Sequence, residues 1–284
     1  MMKRSQALHR TYERLVGLHK DGSLMDSKIQ RIIVRPDWNV LIAENGLCGM
    51  VINFYGKYSA DVSKQPQFED LNNIVGSTLG DVSERLIDSN DVNMRSIGVC
   101  SMAALSNPFL SKEGISGRGM GIADDIIPMI KKTDKVTIVG YGFLVDAMIG
   151  RCREVHVTEM RPQHYVQTAI IDDGLRYVPK DILYHPHTEN EEVISSSDVV
   201  LITASTLVNG TFDTLLGYCE NARMKGIYGP SGSIVPDELF SMGMDFSRAY
   251  EIVDPGAFEK DAIHSRALES SIKKNQSYQW IIRK

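Results

Sequence analysis

Residues 136–144 read VTIVGYGFL, and this stretch decides how the second half of the chain folds. Four residues with strand character run into Gly140-Tyr141-Gly142, an order typical of the first strand and turn of a doubly wound sheet. A dinucleotide-binding fingerprint has a third small residue three positions after the second glycine, where this chain has Val145. Three interpretations stay open: a nucleotide or nucleoside site, a purely structural turn, or a site for another small ligand.

The segments around this turn predict an α/β fold. Helical patterns lie between most of six strand-like stretches, which favours a Rossmann-like, doubly wound and mostly parallel sheet. These stretches are KVTIVG (135–140), EVHVTE (154–159), DILYHP (181–186), DVVLITA (198–204), KGIYGP (225–230) and RAYEIVD (248–254). ADDIIPMIKK (123–132) is predicted as a helix, and the tail SYQWIIRK (277–284) as either an edge strand or a docked end.

The first 110 residues have a different pattern, which predicts a small α+β domain. Apolar residues at helical spacing cover 6–18 and are followed by three strand-like runs joined by short turns. Two further helical patterns end the domain. The runs are KIQRIIV (28–34), NVLIAE (39–44) and CGMVINFY (48–55), and the helical patterns lie near 79–86 and 92–105. We therefore predict three parts: a small α+β domain over 1–110, a glycine-rich linker over 111–120 and the Rossmann-like domain over 121–284.

Composition limits the classes of function. The net charge of −5 argues against nucleic acid as the main partner, because binding phosphates requires a basic face. No apolar run reaches the roughly 18 residues that a membrane span requires, and the charged start of the chain lacks the apolar core of a signal peptide. The four cysteines are far apart and are expected to be reduced thiols. These features predict a cytoplasmic protein.

The glycine turn supplies the first group of candidate site residues. Gly140 and Gly142, on either side of Tyr141, would let a ligand approach the backbone and the start of the next helix. Glu159 ends the second strand, near the spacing at which an acidic residue binds ribose hydroxyls. A nucleoside without a pyrophosphate, such as S-adenosylmethionine, tolerates Val145 better than NAD does. Arg161 is expected to pair either with a phosphate or with Glu159.

Two later turns supply further candidates. After the strand that ends at Thr203, the chain offers hydroxyl and amide groups that could bind an anion or a polar molecule. The alternative is helix capping by Asn209 or Thr211. A second tight turn follows the next strand. The residues predicted to bind a ligand in these turns are Thr203, Ser205, Thr206, Asn209, Gly210, Gly229, Pro230 and Ser231.

The histidines and known catalytic motifs give weaker signals. His185 and His187 could begin a metal site, but no third ligand has convincing spacing, so a solvated loop is favoured. His156 is expected to be packed within a strand, and His164 is a lesser candidate near the turn. No GxSxG, HExxH or P-loop motif occurs, so the sequence gives no support for an α/β-hydrolase nucleophile elbow, a zinc metalloprotease or an NTPase. Catalytic residues and metal ligands therefore stay unassigned.

ITASTLVNGTFDTLL, YGPSGS and VGYG together resemble the Rossmann-like domain of the heavy-metal chelation family, known as domain of unknown function 364. The first domain is similar to the small N-terminal domain of enolases. AALSNPF (103–109) resembles the family segment in which an asparagine, here Asn107, closes the first domain toward a cleft, although Pro108 departs from the Asn-Ala of many relatives. The resemblance implies a site between the two domains and a role in making or handling metal-binding small molecules.

The expected function is binding of a polar or anionic small molecule in that cleft. Whether the protein is an enzyme stays open, with condensation, hydrolysis and group transfer as the alternatives. A second hypothesis is a non-catalytic protein that binds a metal or a metal chelate, and a third is an NAD-dependent oxidoreductase. The cofactor is unknown, with an S-adenosylmethionine-like nucleoside or a metal ion as the candidates. The expected partners are a small molecule or metal chelate, with no nucleic acid and no membrane, and a homo-oligomer is left open.

Overall fold

The structure of the protein is a computed structural model that describes residues 4–35, 37–54, 68–142, 144–161, 163, 168–171, 174–177, 181–264 and 277–284. The described strands are β1 (Ile29–Val34), β2 (Trp38–Ala43), β3 (Cys48–Ile52), β4 (Gly121–Ala123), β5 (Lys135–Val139), β6 (Glu154–Glu159), β7 (Thr168–Ile171), β8 (Gly174–Tyr177), β9 (Leu183–Pro186), β10 (Val199–Thr203), β11 (Met224–Tyr228), β12 (Phe246–Ile252) and β13 (Ser277–Arg283).

The described α-helices are mostly short. They are α1 (Gln6–Leu18), α2 (Phe68–Asn72), α3 (Leu79–Leu86), α4 (Val92–Ser106), α5 (Lys112–Ser116), α6 (Leu144–Met148), α7 (Asn190–Ser195), α8 (Ser205–Asn209), α9 (Phe212–Gly217), α10 (Asp237–Ser241) and α11 (Pro255–Ile263). Single-turn 3₁₀ helices cover Asn107–Phe109, Ile127–Met129, His187–Glu189 and Pro230–Gly232. The helix α5 lies within the predicted linker, where the hydroxyl of Ser111 caps its first turn.

The sheet topology confirms the predicted α/β class. The main sheet has eight strands in the order β4-β13-β12-β11-β10-β5-β6-β9, and β1, β2 and β3 form a separate antiparallel sheet. β5 pairs in parallel with β6 and β10, and β6 pairs in parallel with β9. The order β9-β6-β5-β10-β11-β12 is that of a doubly wound fold, in which the strand order reverses between β5 and β10.

Two sequence expectations change. The tail forms β13, which pairs on one side with β12 and on the other with β4, so it is an internal antiparallel strand. The predicted helix over 123–132 is wrong, because this segment contains the end of β4 and only the 3₁₀ turn Ile127–Met129. Pro128 lies in that turn, where its missing N–H and its ring oppose a continuing α-helix.

The chain forms two compact units that do not follow chain order. Unit 1 comprises Met1–Asp124, Ala204–Phe212 and Tyr228–Lys284, and unit 2 comprises Asp125–Thr203 and Asp213–Ile227. Segments far apart in sequence therefore contribute to the same unit. The division at residues 110 and 121 is based on sequence order and stays a prediction.

Unit 1 is built around α4, of which 13 of the 15 residues are buried. A helix that is buried on all sides has to be covered by several neighbours, and α4 contacts α1, α3, β2, β3 and α8. Small residues allow these neighbours to come close. A Cβ atom added to Gly49 of β3 would lie only 2.1 Å from the carbonyl oxygen of Cys100 on α4.

Ion pairs attach α1 to a distant part of the chain within unit 1. Arg14 of α1 contacts Asp237 at 2.9 Å, and Arg10 contacts Glu238 at 2.7 Å, both on α10. Arg118 also pairs with Asp237, and its side chain is largely buried. The Arg118–Asp237 pair is largely buried, so breaking it is costly, whereas the more exposed arginines of α1 contribute less to holding this helix.

We expect Gly49→Ala to destabilise the protein by about 3 kcal/mol, because a new methyl group would overlap the backbone of α4. Gly17→Ala is the matched control. Its added Cβ meets nothing within 4 Å and lies within α1, so this change should stabilise by up to about 1 kcal/mol. Urea denaturation monitored by circular dichroism measures both effects. Equal stability of the two variants would contradict the close contact between β3 and α4.

Candidate functional site

The predicted glycine turn lies at the point where the strand order reverses. Val139 of β5 is the register partner of Ile202 of β10, so Gly140 and Thr203 leave the sheet beside each other. Ligands of open α/β sheets bind at this position, outside the carboxyl ends of the strands. Unit 2 therefore brings Gly140, Tyr141, Gly142 and Thr203 together at one edge of the sheet.

The turn itself is tight and depends on glycine. Gly140 has φ +87°, a value that side chains disfavour, and its N–H donates to the carbonyl oxygen of Thr158 at 2.9 Å. The N–H of Val145 donates to the carbonyl oxygen of Gly142 as α6 begins. Val145 is fully buried, and α6 contacts both β5 and β6. The valine at the third fingerprint position is therefore part of the core of unit 2.

Glu159, at the end of β6, holds this turn in place. One carboxylate oxygen accepts from the N–H of Tyr141 at 2.9 Å and from Nη2 of Arg161 at 2.7 Å. The other accepts from the N–H groups of Met160 at 2.8 Å and Arg161 at 3.1 Å. Glu159, predicted to bind ribose hydroxyls, thus binds backbone N–H groups of the glycine turn and of the residues that follow β6. Arg161 was expected to pair with a phosphate or with Glu159, and in the structure it pairs with Glu159.

Opposing effects act on the pKa of Glu159. Burial by itself raises the pKa of this carboxyl, whereas the hydrogen bond and charge of Arg161 and the N–H of Tyr141 lower it. The bonds to the charged form outweigh burial, and the pKa lies below its usual value. Glu159 is therefore an ionised hydrogen-bond acceptor at neutral pH.

Tyr184 of β9 completes the group, and sequence reasoning missed it. Its hydroxyl donates a short hydrogen bond to the carbonyl oxygen of Arg161, and Nη2 of Arg161 also donates to the carbonyl oxygen of Tyr141 at 3.3 Å. Burial and the charge of Glu159 raise the pKa of Tyr184. We call Tyr141, Glu159, Arg161 and Tyr184 the glycine-turn cluster.

The polar residues after β10 lie in unit 1 and form a helix where a loop was expected. Ser205 and Thr206 begin α8, Thr206 is buried, and Gly210 ends the helix with φ +77°. The side-chain oxygen of Asn209 accepts from the N–H and the hydroxyl of Thr211 at 3.1 and 2.7 Å. These bonds join Asn209 to Thr211 just before α9 begins, and helix capping by either residue stays a prediction. A ligand role for these residues stays a prediction.

The turn after β11 also has a structural role in unit 1. Gly229 has φ +104° and precedes the 3₁₀ turn that contains Pro230 and Ser231. Ser231 is buried, and its hydroxyl accepts from the N–H of Ile52 at 3.0 Å. The turn is thereby attached to the end of β3.

Asn107 is similarly bound to the backbone of unit 1. Its amide nitrogen donates to the carbonyl oxygen of Ile252 at 2.8 Å, and its amide oxygen accepts from the N–H of Ile252 at 2.7 Å. The side chain therefore pairs with β12 as a neighbouring strand would. It also lines a small, mostly apolar pocket within unit 1, together with Cys48, Gly49, Met50, Ala103, Ser233, Tyr250, Ile252 and Phe258.

His156 is buried within β6 as the sequence predicts, whereas His185 differs from the sequence expectation. His185 was favoured as part of a solvated loop, but it lies in β9 and its Nε2 is 2.9 Å from Nδ1 of His156. The pairing of β6 with β9 brings these two rings together. His187 is exposed, and His164 lies outside the described residues. Burial holds the pKa of His156 below its usual value, and Lys135 and His185 add to this effect against the opposing influence of Glu154.

No group of three or more histidine, cysteine, aspartate or glutamate side chains is arranged to bind a metal ion in the described part of the chain. No described helix is long and apolar enough to cross a membrane. All four cysteines are free thiols.

Comparison with known protein families gives one family match. The sequence model of DUF364, described as "Putative heavy-metal chelation", matches residues 125–269, slightly more than half of the chain. The uncharacterized protein MJ0500 of Methanocaldococcus jannaschii is 23% identical over 171 residues, which are 60% of this chain and 59% of that protein. The chain thus matches less than two thirds of the length of this curated relative.

Solved structures extend the likeness to nearly the whole chain. A DUF364 protein of unknown function from Desulfitobacterium hafniense is similar with a TM-score of 0.71 and 18% identity, covering 98% of this chain and 99% of that chain. The DUF364 protein PH1506 from Pyrococcus horikoshii gives the same TM-score and identity, covering 98% of this chain and 100% of that chain. At this level of identity the comparison supports the fold alone.

We expect Glu159→Gln to lower the free energy of unfolding by about 2 kcal/mol at pH 7, since it weakens hydrogen bonds to a charged group. Because the folded pKa is lowered, this contribution is complete above the unfolded pKa of about 4.3 and is lost as the pH falls through the folded value. Urea denaturation of both proteins from pH 7 down to pH 3 should therefore show a difference that shrinks with acid. Glu220→Gln, at an exposed position, is the control. A difference that does not depend on pH would exclude the carboxylate as its source.

Proposed function

This chain belongs to the DUF364 family, and from that membership we propose that it binds a metal-chelating small molecule carrying both amine and carboxylate groups. The proposed binding position is the glycine-turn cluster of unit 2. The family description supports a link to heavy-metal chelation in general, and the ligand class is inferred from the chemistry of the cluster.

The Glu159–Arg161 ion pair is the observation that carries this proposal. Opposite charges lie 2.7 Å apart at the carboxyl end of β6, and the Arg161 side chain is 31% exposed. A ligand with an ammonium and a carboxylate group is complementary to such a pair, because each ligand charge finds its opposite. Amine and carboxylate groups are also common ligands of divalent metal ions, which connects this chemistry with chelation.

The same contacts make a pyrophosphate a poor fit. The N–H of Tyr141, which would face a phosphate in a dinucleotide site, donates to the negatively charged Glu159. A ribose hydroxyl is a neutral donor and would have to compete with the four N–H groups that Glu159 already accepts from, whereas a ligand ammonium competes with a full positive charge. The NAD-dependent hypothesis is thus the least supported. S-adenosylmethionine remains a useful probe, since it combines a nucleoside with an amino-acid end.

We restrict the proposal to binding. Within the cluster, the hydroxyl of Tyr184 donates to a backbone carbonyl, and no side chain is positioned as a base beside a nucleophile. Condensation, hydrolysis and group transfer therefore have no residues assigned to them. The free state of all four cysteines supports a reducing compartment, and we propose the cytoplasm.

Calorimetric titration with four probes tests the proposal: nitrilotriacetate, its zinc complex, S-adenosylmethionine and adenosine. We expect binding of at least one amino-carboxylate probe and none of adenosine. Arg161→Gln should weaken that binding at least tenfold, because a charge-assisted hydrogen bond is lost. Arg151→Gln, at an exposed position in unit 2, should bind as the parent protein does. Binding of adenosine, or no effect of Arg161→Gln, would contradict the proposal.

A further inference from the structure

Two histidines on neighbouring parallel strands face each other through their ring nitrogens. Nδ1 of His156 on β6 lies 2.9 Å from Nε2 of His185 on β9. The ring planes are within 9° of parallel, and their centroids are 5.1 Å apart. With the nitrogens this close, that centroid separation places the rings edge to edge. The contact is thus made by two nitrogen atoms and the rings do not overlap.

A carboxylate lies on the outer side of each ring. Nε2 of His156 is 3.2 Å from Oε2 of Glu154, and Nδ1 of His185 is 2.8 Å from Oε2 of Glu189. An ionised carboxylate only accepts hydrogen bonds, so each outer nitrogen carries its proton. In a neutral imidazole the inner nitrogen then has a lone pair. Two such lone pairs would face each other at 2.9 Å, which is favourable only when a cation lies between them.

We propose that this pair of histidines binds a first-row divalent transition-metal ion, copper(II) most tightly, in place of the shared proton. Imidazole nitrogen is a preferred ligand of copper, nickel and zinc, and copper(II) has the highest affinity in this series. Two neutral imidazoles flanked by two carboxylates have an excess of negative charge, which a divalent ion offsets.

The outer carboxylates match the usual surroundings of metal-bound histidine. Such a histidine commonly donates its other N–H to a carboxylate, which fixes the ring and increases the basicity of the ligating nitrogen. Here both rings have this support, from Glu154 and Glu189. These contacts distinguish the pair from two adjacent surface histidines without such partners.

The spacing and exposure are also compatible with an ion. Two nitrogen ligands at about 2.05 Å from a metal, in adjacent positions of a square arrangement, are about 2.9 Å apart. In the structure the two lone pairs point at each other, so both rings would have to turn to converge on such an ion, and the Glu154 and Glu189 side chains would have to follow. The His185 side chain is 21% exposed, so water can reach the site. Since the described residues offer no third protein ligand, water or a small chelator would occupy the remaining positions.

The test is a copper(II) titration of tag-free protein, first treated with EDTA, followed by calorimetry and electron paramagnetic resonance. We expect one equivalent to bind, with hyperfine coupling to two imidazole nitrogens. His185→Ala should lower the affinity at least tenfold and remove the two-nitrogen signal. Glu189→Gln should keep both nitrogens but lower the affinity about tenfold, as loss of an outer carboxylate partner does.

His187→Ala is the matched control, because this exposed histidine lies two residues from His185 and should leave binding unchanged. His156 is more buried, so His185→Ala is the main variant and circular dichroism checks its fold. Arg161→Gln should bind copper normally, which separates this site from the glycine-turn cluster. If the parent protein binds no stoichiometric copper, or His185→Ala binds it equally well, the pair holds only a proton and the proposal is wrong.

Discussion

The burial of α4 on all of its sides is the constraint on which unit 1 depends. Its small and apolar residues present no polar face to water, so strands and helices from several parts of the chain have to cover it. This requirement explains why Ala204–Phe212 and Tyr228–Lys284 belong to the same compact unit as the first 124 residues. The reciprocal bonds between Asn107, which follows α4, and Ile252 of β12 join two of these segments.

In unit 2 the carboxylate of Glu159 is the group on which the candidate site depends. Glu159 joins the end of β6 to the turn after β5 and holds Arg161 beside it. In a typical dinucleotide-binding fold, the corresponding acidic residue and turn serve the cofactor. Here the contacts within the protein already satisfy both. The fold is therefore Rossmann-like in its strand order, while the chemistry at its carboxyl edge differs from that of a nucleotide site.

The sequence allowed six of the eight strands of the main sheet to be predicted, because buried strands are nearly continuous apolar runs; β4 was missed and the tail that forms β13 was left undecided. Contacts that depend on strand pairing or on turn conformation could not be predicted from the sequence. His156 and His185 are 29 residues apart, and nothing in their spacing indicates that β6 and β9 are neighbours. The helix α8 was missed because its five residues are rich in types that favour loops. The position of Glu159 at the end of β6 was predicted. Its hydrogen-bond partner was not, because the partner depends on the direction of the N–H of Tyr141.

The arrangement of unit 1 has a consequence for how the protein forms during translation. Unit 2 is complete once the ribosome has added residue 227, whereas unit 1 still lacks α10, β12, α11 and β13. Domains usually fold as units while the chain emerges. The segment made first thus has to wait until residues after 227 arrive, because the turn Pro230–Gly232 contacts α4 and α11 packs against β2. Chaperones that bind exposed apolar surface would find their target in this nascent intermediate.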